Sequence, residues 1–339
     1  MAPIELGQNN RLGNNPTMDL FNPALVENIT FIRPAYFIIS GFIGLPDMKF
    51  YYVFLFFVFI ISVLGNTSVM ALIYLDHNIR TPKYVAVFNL AFVDLLGSCA
   101  LVPKVLDIFL FNHHYVPYND CLTFLFFCYT CLSMQALNLV ALCYDRLMAI
   151  MFPLHYLVKV THKIMFSLIA SFWCIAVLAV LTADGLLTRL SFCTSVVVNS
   201  YFCDHGQMYK LACNDNFPNF VIAYLLPFLF LWLPLVIILS SYICIGYALA
   251  QVAAAQERVK ALKTCTAHLS LVAIYFFPVL ITFTMGSGIH PNARIINLSL
   301  TSVIPPMLNP IIYVLHTQEI RLSIKRMLKS SNKSKIMVK

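Results

Sequence analysis

Between Leu122 and Tyr144 the chain runs for 23 residues without a charged side chain. At about 1.5 Å of helical rise per residue, that run spans a bilayer core of about 30 Å. Cys121 marks one end of it and the pair Asp145-Arg146 marks the other. A helix with a covalent tether at one membrane face and a charge switch at the other is a means of carrying a signal across.

The rest of the chain agrees with a membrane origin. Hydrophobic residues make up 60% and charged residues 11%, against about 25% charged in a soluble globular protein. Mean hydropathy is +0.81. Glycine is scarce, and no strand-like alternation of the kind a membrane barrel requires is visible. No repeat of solenoid or propeller period occurs. The expected class is an all-α membrane protein. Residues 1–30 contain one arginine and lack the basic and apolar regions of a signal peptide. They read as a polar, mobile segment. Asn28-Ile29-Thr30 is an acceptor sequon for glycosylation, and proline blocks the one at Asn15-Pro16-Thr17.

Seven apolar runs follow in order. The first covers about residues 50–75 and contains Gly65-Asn66. The second covers about 84–111 and contains Asp94. The third is the stretch described above. The fourth, about 164–183, contains Trp173. A connection over 184–215 holds three cysteines. No charge appears from Phe217 to Glu257, which is longer than a bilayer and predicts a fifth helix that projects beyond it. Pro234 is expected to kink that helix. The sixth run lies between Lys263 and Arg294, and the seventh between Arg294 and Glu319. After it, Ile320, Ile324, Met327 and Leu328 share one face of a basic amphipathic helix suited to a membrane surface. The expected organisation is an amino-terminal segment over 1–49, a seven-transmembrane helix bundle over 50–316, and a short amphipathic helix with the tail over 317–339.

Lys and Arg counts set the orientation. Fifteen of the 22 lie on the side of the tail: Arg80, Lys83, Arg146, Lys159, Lys163, Arg258, Lys260, Lys263 and seven in the tail itself. Six lie opposite: Arg11, Arg33, Lys49, Arg189, Lys210 and Arg294. The tail is therefore expected in the cytoplasm and the amino terminus outside. Cys121, Cys193, Cys203 and Cys213 fall outside, where disulfides persist. Four cysteines allow three pairings. The other seven read as reduced, small apolar residues.

Asp145-Arg146 after the third run, Asn89 to Asp94 in the second, Gly65-Asn66, Trp173, and Asn309-Pro310-Ile311-Ile312-Tyr313 resemble the rhodopsin-like G-protein-coupled receptors. Three further stretches narrow this: Pro306 to Tyr313, Lys260 to Leu269, and Tyr144 to Ile150 with Pro153 to Tyr156. Together with Ser241-Tyr242 they resemble the odorant receptors, of the fish type. The resemblance spans about residues 28–328.

It implies a receptor that binds a small odorant in the bundle and activates a heterotrimeric G protein of the olfactory, stimulatory type. The implied location is the plasma membrane of olfactory cilia. Cys121–Cys203 and Cys193–Cys213 are the implied disulfides. Arg146 is implied to pair with Asp145 at rest and to turn to the G protein when the sixth helix swings out. Leu147 stands where the family usually has tyrosine. Tyr242 and Tyr313 are implied to approach through water in the active state, with Asn309 and Pro310 shaping the seventh helix.

Asp94 has two readings. The family places a sodium ion at such a carboxylate, and Asn66, Asn309 and Gln135 are candidate partners. The alternative is structural hydrogen bonding, because a mid-membrane carboxylate must face partners in the bundle. His268 reads as a packing and hydrogen-bonding residue, since no metal-ligand spacing surrounds it.

For the ligand, helical periodicity places Cys128, Leu132 and Ala136 on one stripe, with Tyr129 and Ser133 beside it. Phe276, Val279, Leu280 and Phe283 share a face of the sixth helix, and the fifth offers Leu226 and Phe230. These positions match the odorant-binding positions of the resembled family and suit a largely apolar ligand with one or two polar groups. Lys104 and Asp107 are spaced to pair with each other; unpaired, they would be available to a charged odorant. A transporter or channel of small solutes is the rival class. It predicts inverted repeats, paired broken helices or several pore charges, and the sequence contains none. Neither an enzyme constellation, a cofactor motif nor a nucleic-acid partner is indicated. Membrane lipids are the remaining expected partner.

Overall fold

Seven helices long and apolar enough to cross a bilayer form where the charge-free runs demand them. The structure is a computed structural model and describes residues 32–42, 45, 48–193, 195–251, 255–285 and 290–337. The Asn28 sequon lies outside the described residues. The spanning helices are α1 (Lys49–Leu75), α2 (Pro82–Leu110), α3 (Tyr118–Met151), α4 (His162–Leu187), α5 (Phe217–Gln251), α6 (Ala255–Met285) and α7 (Pro291–His316). The amphipathic helix α8 is Gln318–Met337. Over its most apolar stretch α3 is 72% buried, against 22% for α4. The bundle is therefore built around α3. On α1, Phe50, Phe57 and Leu64 repeat every seventh residue and all point outward. In a bilayer that stripe is solvated by lipid tails, so its exposure carries no penalty.

Local chemistry sets the helix starts. Proline opens α2 and α7, where a missing N–H costs nothing. Thr161 caps α4, accepting from Ile164 N at 3.3 Å. Inside the helices, prolines leave carbonyls that lack a helical donor, and the structure answers one of them with a side chain. Pro310 cannot donate to the Pro306 carbonyl; Asn66 Nδ2 on α1 does so, at 2.8 Å. That contact needs α1 close to α7. Gly65 allows it, since a Cβ there would lie 3.0 Å from the Pro310 ring. In α5, a wider five-residue step runs through Phe228–Trp232, with Leu233 N donating to Phe228 O. This π-turn ends just before Pro234.

One element was not predicted. A three-stranded sheet in the order β2-β1-β3 covers one end of the bundle. Its strands are β1 (Tyr36–Ile39), β2 (Tyr115–Pro117) and β3 (Val197–Val198). β1 is central, antiparallel to β2 and parallel to β3. Within β1, Phe37, Ile38 and Ile39 are fully buried. The expected all-α membrane bundle thus carries one small sheet at its end. We call this the sheet end and its opposite the tail end.

At the tail end, two carboxylates fasten α8. Asp76, after α1, accepts from Ser323 Oγ and from Arg326 at 2.7 Å. Glu319 of α8 accepts from Lys83 and from the Tyr84 hydroxyl. The Ser323 hydrogen bond is the largest of several that hold the Asp76 carboxyl well below the usual carboxylate range. Burial opposes ionisation of Glu319, but its bonds to Lys83 and Tyr84 outweigh it and lower its pKa.

Candidate functional site

The connection between α4 and α5 is strapped twice. Cys121 at the start of α3 is bonded to Cys203, with Cα atoms 5.5 Å apart. Cys193 is bonded to Cys213, at 5.7 Å. The first bond fixes the loop over the bundle; the second closes a hairpin around Cys203. The other seven cysteines are free thiols.

Below this roof lies a cavity of about 130 Å³. Its floor and walls include Leu132 and Ser133 of α3, Leu226 and Phe230 of α5, and Val279 and Phe283 of α6. Tyr129 reaches it as well. Cys128, Phe276 and Leu280 do not. Cys128 lines a separate void of about 20 Å³ with Cys131 and Gln135. Phe276 is buried against Tyr275, edge to face at 5.0 Å, and Leu280 packs on the same cluster. The reason is angular. At about 100° per residue, the set Tyr275, Val279, Thr282 and Phe283 is centred about a quarter turn from the stripe through Phe276 and Leu280. The same offset on α3 separates Cys128 from Tyr129 and Ser133.

The polar roof was missed by sequence reasoning. Asp204, directly after Cys203, is buried. It accepts from Tyr129 Oη at 3.0 Å, Gly206 N at 2.9 Å and Arg294 Nη2 at 2.6 Å. Three elements, α3, the strapped loop and α7, thereby meet at one carboxylate. His205 is buried beside it, and burial pushes its imidazole down to about 4, so it is neutral at physiological pH. Tyr201, Thr301 and Ser302 also line the cavity. The one available signal was a charge following a disulfide cysteine in an otherwise apolar chain. Lys104 and Asp107 are 3.3 Å apart, and His113 shares Asp107 at 2.8 Å. They pair with each other and do not line the cavity.

Midway through the bundle, Asp94 is fully buried. Gln135 Nε2 donates to it at 2.7 Å and Asn309 Nδ2 at 2.6 Å. Asn66 is not its partner; that side chain is committed to Pro306 and Ser62. A sodium ion would need oxygen ligands, yet both carboxylate oxygens meet amide N–H groups. The buried Gln135 Oε1 has no partner among the described residues. Turning that amide over would supply one oxygen only. As placed, these residues fit a hydrogen-bonded hub joining α2, α3 and α7. A second polar lock joins α4 to it: Trp173 Nε1 donates to Asn89 at 3.0 Å, and Asn89 donates to Asn138 at 2.8 Å.

At the tail end of α3, Asp145 is buried, 3.5 Å from Arg146, and accepts from Tyr156 Oη at 2.6 Å. Leu147 packs against Ile245, Leu249 and Cys265, an apolar contact in place of an aromatic one. Tyr242 and Tyr313 do not share a contact. The Tyr242 hydroxyl meets His268 Nδ1 at 2.8 Å, and the Tyr313 hydroxyl is buried without a partner among the described residues. His268 Nε2 meets the Leu139 carbonyl at 3.0 Å. This one imidazole therefore joins α6 to both α3 and α5. Arg146, His268 and Tyr313 share a cavity of about 50 Å³. Among the described residues no cluster of three metal-ligating side chains occurs.

Comparison with known proteins agrees with this architecture. The family model for olfactory receptors matches residues 55–331. Olfactory receptor 1 of Rattus norvegicus is 35% identical over 269 residues, covering 79% of this chain and 86% of that protein. Olfactory receptor 1E16 of Mus musculus is 33% identical over 296 residues, covering 85% and 94%. Olfactory receptor 1C1 of Homo sapiens is 31% identical over 271 residues, covering 80% and 86%. The crystal structure of squid rhodopsin superposes with a TM-score of 0.65 at 19% identity, over 86% of this chain and 88% of that one. At that identity it speaks to the fold alone, a bundle of seven spanning helices. The chain belongs to the olfactory receptor family.

Proposed function

We propose that this chain is an odorant receptor of the plasma membrane whose ligand binds below the strapped loop and whose tail end engages a heterotrimeric G protein. The observation that carries this reading is that two helices serve both ends. On α3, Tyr129, Leu132 and Ser133 line the cavity, and Asp145-Arg146 stand about three turns further along. On α6, Val279 and Thr282 line it, and His268 fastens the same helix at the tail end. A ligand that prefers one packing of α3 against α6 shifts the population of the other end, by no more than its differential affinity for the two packings. Release of Arg146 from Asp145 then supplies the docking charge, with Tyr242, Asn309, Pro310 and Tyr313 as the parts that rearrange.

The contacts assigned to the odorant are Tyr129, Leu132, Ser133, Leu226, Phe230, Val279 and Phe283. The G protein is of the stimulatory, olfactory type, and the location is the cilia of olfactory neurons. The sheet end faces outward, and α8 lies in the cytoplasmic leaflet, as the Lys and Arg distribution supports. A transporter or channel is not favoured. None of the residues of the Asp94 hub lines the cavity, and the described helices show none of the paired breaks such a protein would carry. In cells expressing the stimulatory G protein, odorants should raise cyclic AMP, and Arg146→Ala should abolish the response at unchanged surface abundance. A full response from that variant would overturn the reading.

A further inference from the structure

The polar groups around the cavity are unequally supplied with partners. Asp204 already accepts from three donors, as described above. Arg294 is less fully partnered. A guanidinium carries five N–H donors, and among the described residues Asp204 is the one acceptor its side chain meets. Four hydroxyls on the wall donate to backbone carbonyls: Tyr275 to Leu132 O, Thr282 to Pro278 O, Thr301 to Asn297 O and Ser302 to Leu298 O. The buried His205 Nε2 also has no partner among the described residues, but the largest spare donor capacity at the roof sits on Arg294.

Resting on the reading of this cavity as the odorant site, we propose that Arg294 determines specificity, selecting ligands that end in a neutral hydrogen-bond acceptor, such as an aldehyde, ketone or ester. Charge decides between the candidate classes. Arg294 and Asp204 cancel each other, and neutral His205 adds nothing. A carboxylate ligand would satisfy Arg294 but bring a second anion beside a fixed, buried one. An ammonium ligand would compete with three donors already on that carboxylate, next to a guanidinium. An alcohol can also accept from Arg294, but it must place its own proton at the same time, which a carbonyl need not. A carbonyl accepts from the spare N–H groups and leaves the ion pair intact. The volume suits small ligands, since a cavity of about 150 Å³ holds a benzene molecule.

The test uses the full chain in lipid nanodiscs and ligands of equal carbon number: hexanal, 2-hexanone, hexanol, hexanoate and hexylamine. Binding is read from the ligand-dependent shift of the thermal unfolding midpoint. Hexanal and 2-hexanone should bind at least about tenfold more tightly than hexanoate and hexylamine, the scale of one charge-assisted hydrogen bond. Arg294→Met with Asp204→Asn, which removes both charges together, should bring the carbonyl ligands to within about threefold of hexanol. Should that pair fail to fold, Arg294→Lys, which keeps the charge but loses the planar fork, should still weaken hexanal about threefold or more. Wild-type protein that binds hexanoate or hexylamine as tightly as hexanal overturns the proposal, as does a double variant with undiminished preference. Binding none of the five overturns it too. Selective binding of hexanal without a cyclic AMP response would overturn the receptor reading and leave the selectivity standing.

Discussion

Asn66 supplies the N–H that Pro310 lacks, so the two residues must be energetically coupled. Asn66→Ala leaves the Pro306 carbonyl buried without a donor and also removes a bond to the Ser62 carbonyl. Hydrogen bonds between transmembrane helices are worth about 0.6 kcal/mol on average and up to about 1.7. Most of their acceptors keep a helical partner when the side chain is cut back. The Pro306 carbonyl does not, because residue 310 has no N–H. We therefore place the cost of Asn66→Ala near the upper end, at about 1.5 kcal/mol, roughly a tenfold loss in the folding equilibrium. Pro310→Ala restores the missing N–H in register for that carbonyl. In that background Asn66→Ala should cost only about 0.5 kcal/mol, giving a coupling of about 1 kcal/mol. The assay is equilibrium unfolding in mixed detergent micelles for the wild type, both single variants and the double variant. Costs that add to within about 0.3 kcal/mol would refute the reasoning.

Three further outcomes are expected. His268→Leu removes the bonds that hold α6 to Leu139 and Tyr242, so basal cyclic AMP should rise several-fold above wild type at matched surface abundance; an unchanged baseline would count against the clamp. Cys121→Ser opens a disulfide between residues 82 apart and should cost about 2–5 kcal/mol, seen as a loss of cell-surface staining. The Asp76 carboxyl is held below the usual range in the folded state, so its contribution is present above about pH 4 and is lost only as pH falls through the lowered folded value. Hydrogen exchange over residues 320–327 should therefore show an intact α8 at pH 5, and Asp76→Asn should loosen it at every pH tested.

The spanning helices were legible because their signal is local. Twenty-three uncharged residues announce a span whatever the remainder of the chain does. The disulfides were legible only through resemblance; their spacing alone left three pairings. The sheet was not legible, because Tyr36–Ile39 is short, apolar throughout, and pairs with strands about 80 and 160 residues further on. The cavity was half legible. Periodicity located the right turns of α3, α5 and α6 but not the angle at which each faces inward, so Cys128, Phe276 and Leu280 fell about a quarter turn outside. Asp204 and Arg294 escaped because they lie 90 residues apart, and the sequence alone does not show that they meet. Asn66 was misassigned for a related reason. The pull on it came from a carbonyl that a proline had orphaned, and not from the nearby carboxylate.

The central position of β1 also constrains the order in which the molecule can be finished. This strand emerges before any span, its first neighbour comes after the second span, and its last comes only after the fourth. Until residues 197–198 have been synthesised and brought back, it presents an open hydrogen-bonding edge to whatever surrounds it. Closure of the lid is thus a late, long-range event that reports on the insertion of more than half the polypeptide. A lesion in any of the first four helices should surface as an unsealed rim awaiting chaperones, even where the lesion itself lies deep in the membrane.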